Sequence, residues 1–339
     1  MTPTIAHIIR HLEHIAPPIY QEDYDNAGLI TGNPSDPVCG VLTCLDVTEA
    51  VLDEAEALGC NLVVAHHPIV FKGLKRLTGA TYVERVVIQA IRRNIAIYAI
   101  HTNLDNMYFQ GVNTRFAEQL QLQHTRVLSP QAAWRHVRIF LPEHTLPALQ
   151  AALAESPTAE LLHTLPTSGQ QVVCEIRTDT AHQKALQHLL ESIVPNAHAI
   201  ASWQPALQPH PHIGAGIIGE LPQPLSANAF LEMLQARMQT PCIRHTDLPE
   251  KEIQRVAICG GSGSFLLSKA IAQGADAYVS ADFKYHEFFD ADHKILIADI
   301  GHFESEQFTI NLLQEIILQK FSTFAVYCTK VKTNPIHYH

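Results

Sequence analysis

Blocks of lysine or arginine are missing from this 339-residue chain, whose formal net charge is −10. Sequence-independent grip on a phosphate backbone needs clustered cations, so the balance argues against a nucleic-acid role. No stretch approaches the ~20 apolar residues of a membrane span, and no membrane partner is expected. The first residues, MTPTIAHIIRHLEHI, read as an amphipathic helix without the long apolar core of a signal peptide. Cys-x-x-Cys pairs are absent as well. The seven cysteines are scattered, several of them in apolar strand-like runs where a thiol behaves as a small hydrophobe. Such a spread does not make a disulfide framework, and a reducing cytoplasm is the expected setting. With 47% hydrophobic and 17% charged residues, the length suffices for two or three domains with substantial cores.

What the chain has in excess is histidine, 21 in all. His7, His11 and His14 run along the first helix and read as surface or boundary residues, as do His182, His188, His210 and His212. Histidine carries chemistry where several converge with carboxylates, and two distant stretches promise that. "CGVLTCLDVTEAVLDEAEALGCNLVVAHHPIVF" (39–71) runs parallel to "QRVAICGGSGSFLLSKAIAQGADAYVSADFKYH" (254–286). Each gives a strand (Gly40–Leu45; Arg255–Cys259), a turn, a helix ending at Gly59 or Gly274, and a second strand (Leu62–Ala65; Ala277–Ser280). Strand–helix–strand in this order is a βαβ unit and implies a parallel sheet. The echo continues in "HTNLD" (101–105) and "HFESE" (302–306), each a histidine after an apolar strand with a carboxylate four residues on.

Between the halves, residues 130–208 read strand, helix, strand, strand, helix, strand, the order of a ferredoxin-like module. Its elements are Val137–Leu141, Leu146–Leu153, Glu160–His163, Gln171–Arg177, Gln183–Ile193 and His198–Trp203, with turns at Pro157 and Thr167–Gly169. The expected fold is therefore α/β. Two similar βαβ-containing halves, 1–129 and 209–339, form one metal-binding core, with an inserted ferredoxin-like α+β domain between them.

The strand ends collect eight candidates: His66, His67, His101, Asp105, Asp282, His286, His302 and Glu306. Ligands of open α/β sheets gather outside the carboxyl ends of strands. Histidine with carboxylate suits zinc, iron and manganese. On a regular strand His66 and His67 would point to opposite faces, but at a strand end before Pro68 both can turn to one cleft. His302 and Glu306 share a face if a helix begins there, as the apolar spacing of "FESEQFTINLLQEIILQKF" predicts. "GGSG" (260–263) reads as a tight turn, the alternative being a phosphate cradle without a P-loop's Gly-Lys-Ser/Thr. "DNAGL" (25–29) reads as a structural loop.

Together these stretches resemble the NIF-three-like family of dinuclear-metal proteins, often labelled GTP cyclohydrolase 1 type 2. The resemblance rests on "DNAGLITG", "LDVTEAVLDEA", "NLVVAHHPIVFKGL", "HTNLD" with "GVN", "GGSGSF", "GADAYVSADFKYH" and "GHFESE", spread over about residues 1–128 and 212–339. It implies that His66, His67, Asp105, His302 and Glu306 hold two divalent transition-metal ions per chain: zinc, iron or manganese. His101, Asp282 and His286 then stand as catalytic candidates on the substrate side or behind the ligands. Ala281 departs from the glycine many members carry before the acid, leaving Asp282 and His286 intact. The resemblance also implies a homohexameric ring and a small-molecule substrate of nucleotide type. Five ligands cannot saturate two ions, and paired ions are the equipment of a hydrolase. Two functions stay open: a metal-dependent hydrolase of the GTP cyclohydrolase 1 type 2 kind, acting on a nucleotide or related phosphorylated compound, or a non-enzymatic metal-binding scaffold, chaperone or reservoir whose insert binds a partner.

Overall fold

A computed structural model describes residues 3–156, 158–167, 169–195 and 197–339. The expected turn residues Pro157 and Ser168 lie outside the described residues. The chain forms two compact units, one of Met1–Ser129 with His212–His339 and one of Pro130–Pro211.

In the larger unit the apolar runs become short strands buried along their whole length. Leu62–Ala65 and Ala96–Ala99 expose almost nothing on either face. That is the behaviour of parallel strands covered by helices on both sides. They pair parallel with each other, Leu62–Ala65 also pairs parallel with Gly40–Cys44, and Gly28–Thr31 adds an antiparallel edge beside Ala96–Ala99. One face packs under the helices Ile5–Ile15 and Thr309–Lys320 through Ile8, Leu12, Leu313 and Ile317. The other packs under Glu49–Ala57 and Tyr82–Arg92 through Val51, Leu52, Val86 and Ala90. His11, expected at a surface, is buried in the first of these layers, with its Nε2 2.9 Å from the Ile316 carbonyl.

The second sheet repeats the plan. Ile253–Ser262, Ala277–Ala281 and Leu296–Asp299 pair parallel in that order. Gly214–Leu225 and Arg244–His245 close the run on either side as antiparallel neighbours. Gly59 and Gly274 sit just past their helices with φ of +68° and +70°, the left-handed turn that ends a helix. The halves also exchange edges. Ala325–Cys328, from the end of the chain, pairs parallel with Gly40–Cys44 in the first sheet. Gln123–Pro130, from the first half, lies beside Gly214–Leu225 in the second. The expected single helix from His302 is two: His302–Glu306, then Thr309–Lys320.

The smaller unit is a four-stranded antiparallel sheet in the order Ala159–Pro166, Gln171–Asp179, Trp134–Pro142, Ala201–Pro205. Helices Leu146–Ala154 and Gln183–Ile193 cover it through Leu149, Leu153, Leu186 and Leu190. The strand expected over His198–Trp203 is displaced: Ala197–Ile200 is a helical turn and the strand is Ala201–Pro205.

Candidate metal centre

Four strand-to-loop junctions of the larger unit carry the candidate residues, and all of these but His286 gather at one centre. His66 and His67 follow the strand Leu62–Ala65, and their amides continue its ladder onto Cys44 and Leu45. His101 follows Ala96–Ala99, and the helical turn Thr102–Asp105 carries Asp105. His302 and Glu306 begin and end the short helix after Leu296–Asp299, one turn apart on one face. Asp282 follows Ala277–Ala281 in a left-handed conformation, φ +58°, that an aspartate tolerates better than most residues.

The hydrogen bonds around the imidazoles share one pattern. His66 Nδ1 donates to the Ile100 carbonyl at 2.9 Å, His67 Nδ1 to Asp46 at 2.8 Å, and His302 Nδ1 to Asp282 at 2.6 Å. His101 Nδ1 likewise donates to Asp25 at 2.8 Å. An outer acceptor on Nδ1 fixes the ring and leaves Nε2 for the interior, as behind metal-bound histidines. Glu306, 3% exposed, spans two groups of these nitrogens. Its Oε2 lies 3.0 Å from His67 Nε2 and 3.2 Å from His302 Nε2. Its Oε1 lies 3.8 Å from His66 Nε2, which in turn stands 3.5 Å from Asp105 Oδ1. Ring nitrogens of His66, His67 and His101 form a third group, within 4.8 Å of one another.

Two of these atoms test whether the residues suit a metal. His66 Nε2 and Asp105 Oδ1 are buried and have no hydrogen-bond partner. With the His66 proton on Nδ1, both are lone pairs facing each other. Leaving buried polar atoms unsatisfied costs about 1–3 kcal/mol each, and a cation between them removes the cost. The donor set fits a divalent transition metal.

The electrostatics point the same way. Burial, then the neighbouring Glu306 charge, pushes the Asp105 carboxyl up to about 7. Burial opposes charge on His67 and His302. Hydrogen bonds to Asp46 and Glu306 nonetheless raise His67 to about 9, and the charge of Glu306 with the bond to Asp282 raises His302 to about 11. Burial would likewise raise Glu306, yet His302 and the hydrogen bonds from the histidines hold it well below the usual range. The cluster draws cations to its buried carboxylates. Protons serve in the metal-free chain, and a divalent ion serves the same need.

Neighbouring loops lock these positions. Asn113 donates to the Asp105 carbonyl and accepts from the Gly260 amide. Ser305 accepts from the Gly261 amide and donates to the His302 carbonyl. "GGSG", expected as a tight turn, is instead the irregular end of the strand Ile253–Ser262 with Gly263 just beyond it, and it presses on the centre. A Cβ at Gly261 would sit 2.5 Å from Glu306 Oε1, and one at Gly263 would sit 2.3 Å from Ser280 Oγ. Asp299 accepts from the Phe283 and Gly301 amides, tying the Asp282 loop to the His302 loop. His286 is not brought in. It lies exposed on the turn Tyr285–Ala291, against the rings of Tyr285 and Phe289 and outside the cleft lining. The strand before it ends in the left-handed turn at Asp282, and the chain then leaves the cleft. Asp25 and Asp46 were not singled out from the sequence, yet they orient two of the imidazoles. Asp46 carried the same signal as the others, an acid directly after an apolar strand.

This is an α/β protein whose parallel strands in both halves end at one histidine–carboxylate centre with metal-binding composition. The profile of the Duf34/NIF3 (NGG1p interacting factor 3) family matches residues 3–335, and the chain belongs to that family. A Staphylococcus epidermidis relative named GTP cyclohydrolase 1 type 2 homolog is 27% identical, with 98% of this chain and 99% of that one covered. Among solved structures, a Bacillus cereus protein related to NIF3 superposes with a TM-score of 0.83 at 28% identity, covering 100% of this chain and 99% of that one. A Staphylococcus aureus hypothetical protein gives 0.84 at 26% identity, with the same coverage. Among the described residues no helix is long and apolar enough to cross a membrane.

Proposed function

We propose that this chain is a hydrolase working with two divalent transition-metal ions, zinc, iron or manganese, on a small molecule that carries a nucleotide's base. The observation that carries the reading is the division of donors by Glu306. One carboxylate oxygen faces His67 and His302, and the other faces the His66–Asp105 pair. His66, Asp105 and Glu306 would hold one ion, and His67, His302 and Glu306 the other. Paired ions held there would supply an acidified water and a Lewis acid for the bond under attack. The protein's own part is to orient and to move protons. Asp46 and Asp282 fix the rings of His67 and His302. His101, held through Nδ1 by Asp25, presents its ring edge-on to His66 and His67 and takes up or returns the proton of the hydrolytic step. The name of the Staphylococcus epidermidis relative supports hydrolysis of a purine-type ring as the reaction class. A cleft of about 900 Å³ accommodates a base with its sugar.

The test is turnover of purine bases, nucleosides and nucleotides by the zinc-, iron- or manganese-loaded chain, with and without chelator. Turnover should vanish with chelator, and His101→Gln should lower it ~100-fold or more with metal content near the wild type's. Absence of turnover with every metal would overturn the hydrolase reading and favour a metal-holding scaffold.

A further inference from the structure

We infer that the cleft over this centre is built for an uncharged, flat heteroaromatic ligand of base or nucleoside size and not for a nucleoside triphosphate. The inference rests on the hydrolase reading for its location and chooses the substrate class within it. The first observation is charge. Glu22, Asp46, Asp105 and Glu306 line the cleft, and among the described residues no lysine or arginine does. Two divalent ions would bring four positive charges against those four carboxylates, leaving nothing for the roughly four negative charges of a triphosphate. Sites that bind polyphosphates surround them with lysine, arginine or free backbone amides.

The amides are the second observation. Among the described residues, the glycine-rich strand end at 260–262 is the stretch of the cleft lining nearest to a phosphate loop in composition, and its leading amides are already used. Gly260 N–H donates to Asn113 Oδ1 and Gly261 N–H to Ser305 Oγ, both at 2.9 Å. The helix that follows, Leu267–Ala272, is only six residues long and offers no anion site of its own.

The third observation is the walls. Tyr24, Phe71, Tyr82 and Phe265 all line this cleft, and each is at least half exposed. Phe71 stands edge-on to His101, with ring centroids 5.5 Å apart. Large aromatic faces left open beside a polar floor favour stacking on a flat ring, which tolerates many heterocycles and needs no counter-charge. The floor then offers the metal side of the cleft to ring nitrogens and carbonyls.

Calorimetric binding separates the possibilities, because guanosine and guanosine triphosphate share base and sugar and differ in the triphosphate, which carries roughly four negative charges. Both ligands are titrated into the full chain, loaded with zinc and metal-free. Guanosine is expected to bind both forms, and to bind the metal-free form at least tenfold more tightly than the triphosphate. Phe265→Ala and Phe71→Ala should each weaken guanosine at least tenfold at unchanged zinc content. Tighter binding of the triphosphate to the metal-free chain would overturn the inference. So would guanosine binding indifferent to both substitutions, or no guanosine binding by a chain holding its full zinc. Aromatic-dependent guanosine binding without turnover of any base, nucleoside or nucleotide would sink the hydrolase reading and leave this inference standing.

Discussion

Asp105, His67 and His302 carry protons in the metal-free chain that a metal ion must displace. With His67 raised to about 9 and His302 to about 11, both are protonated at pH 8, whereas metal takes the bare Nε2. Loading the metal-free protein with zinc at pH 8 in weak buffer should release about two protons per chain, and apparent affinity should climb as pH rises toward 9. The sign follows from the raised values, since raising pH removes the competing protons. Uptake with no proton release would mean that these imidazoles are not ligands. Most residues of the centre were legible in the sequence because each stands at a strand end in a repeated pattern. Asp25 was not, because its partner His101 lies 76 residues away with no local spacing to link them; Asp46 stands at a strand end like the others, and only its pairing with His67, 21 residues away, is hidden. His286 misled for the opposite reason, being near Asp282 in sequence but carried out of the cleft by a turn.

At the level of elements, the short strands were readable because parallel strands covered on both faces become unbroken apolar runs such as Leu62–Ala65 and Ala277–Ala281. What periodicity does not encode is which sheet an edge joins, so Ala325–Cys328 could not be assigned to the first sheet from its own residues. The irregular strand end at 260–262 is where element geometry and chemistry meet. Gly261 has φ +62°, and an added Cβ would meet Glu306 Oε1 at 2.5 Å and His302 Cε1 at 3.3 Å. Glu306 is pinned between histidines and cannot swing aside. Gly261→Ala should therefore lower thermal stability, by about 1–3 kcal/mol in strain, and cut bound metal to one ion or fewer. Gly73→Ala is the control: nothing lies within 4 Å of an added Cβ there, so both properties should stay unchanged. Full metal content in Gly261→Ala would show that this strand end does not hold Glu306 in place.

On the scale of the whole molecule, the smaller unit interrupts a pair of neighbouring strands. A Cβ on Gly216 would meet Leu128 and one on Gly219 would meet Thr125, so the two neighbouring strands run in opposite chain directions. The two ends left by removing the insert are therefore adjacent within the larger unit. Joining Ser129 to His212 through about four flexible residues should give a folded chain with unchanged metal content, checked by circular dichroism and elemental analysis. An unfolded product, or a folded one that has lost its metal, would make the insert part of the core.

If Glu306 serves two ions at once, metal stoichiometry depends on its carboxylate. After stripping, reconstitution with zinc and dialysis, elemental analysis of the full chain should find about two ions per chain, and fewer than one in Glu306→Gln. One ion or fewer in the wild type, or two retained without the Glu306 carboxylate, would contradict the account.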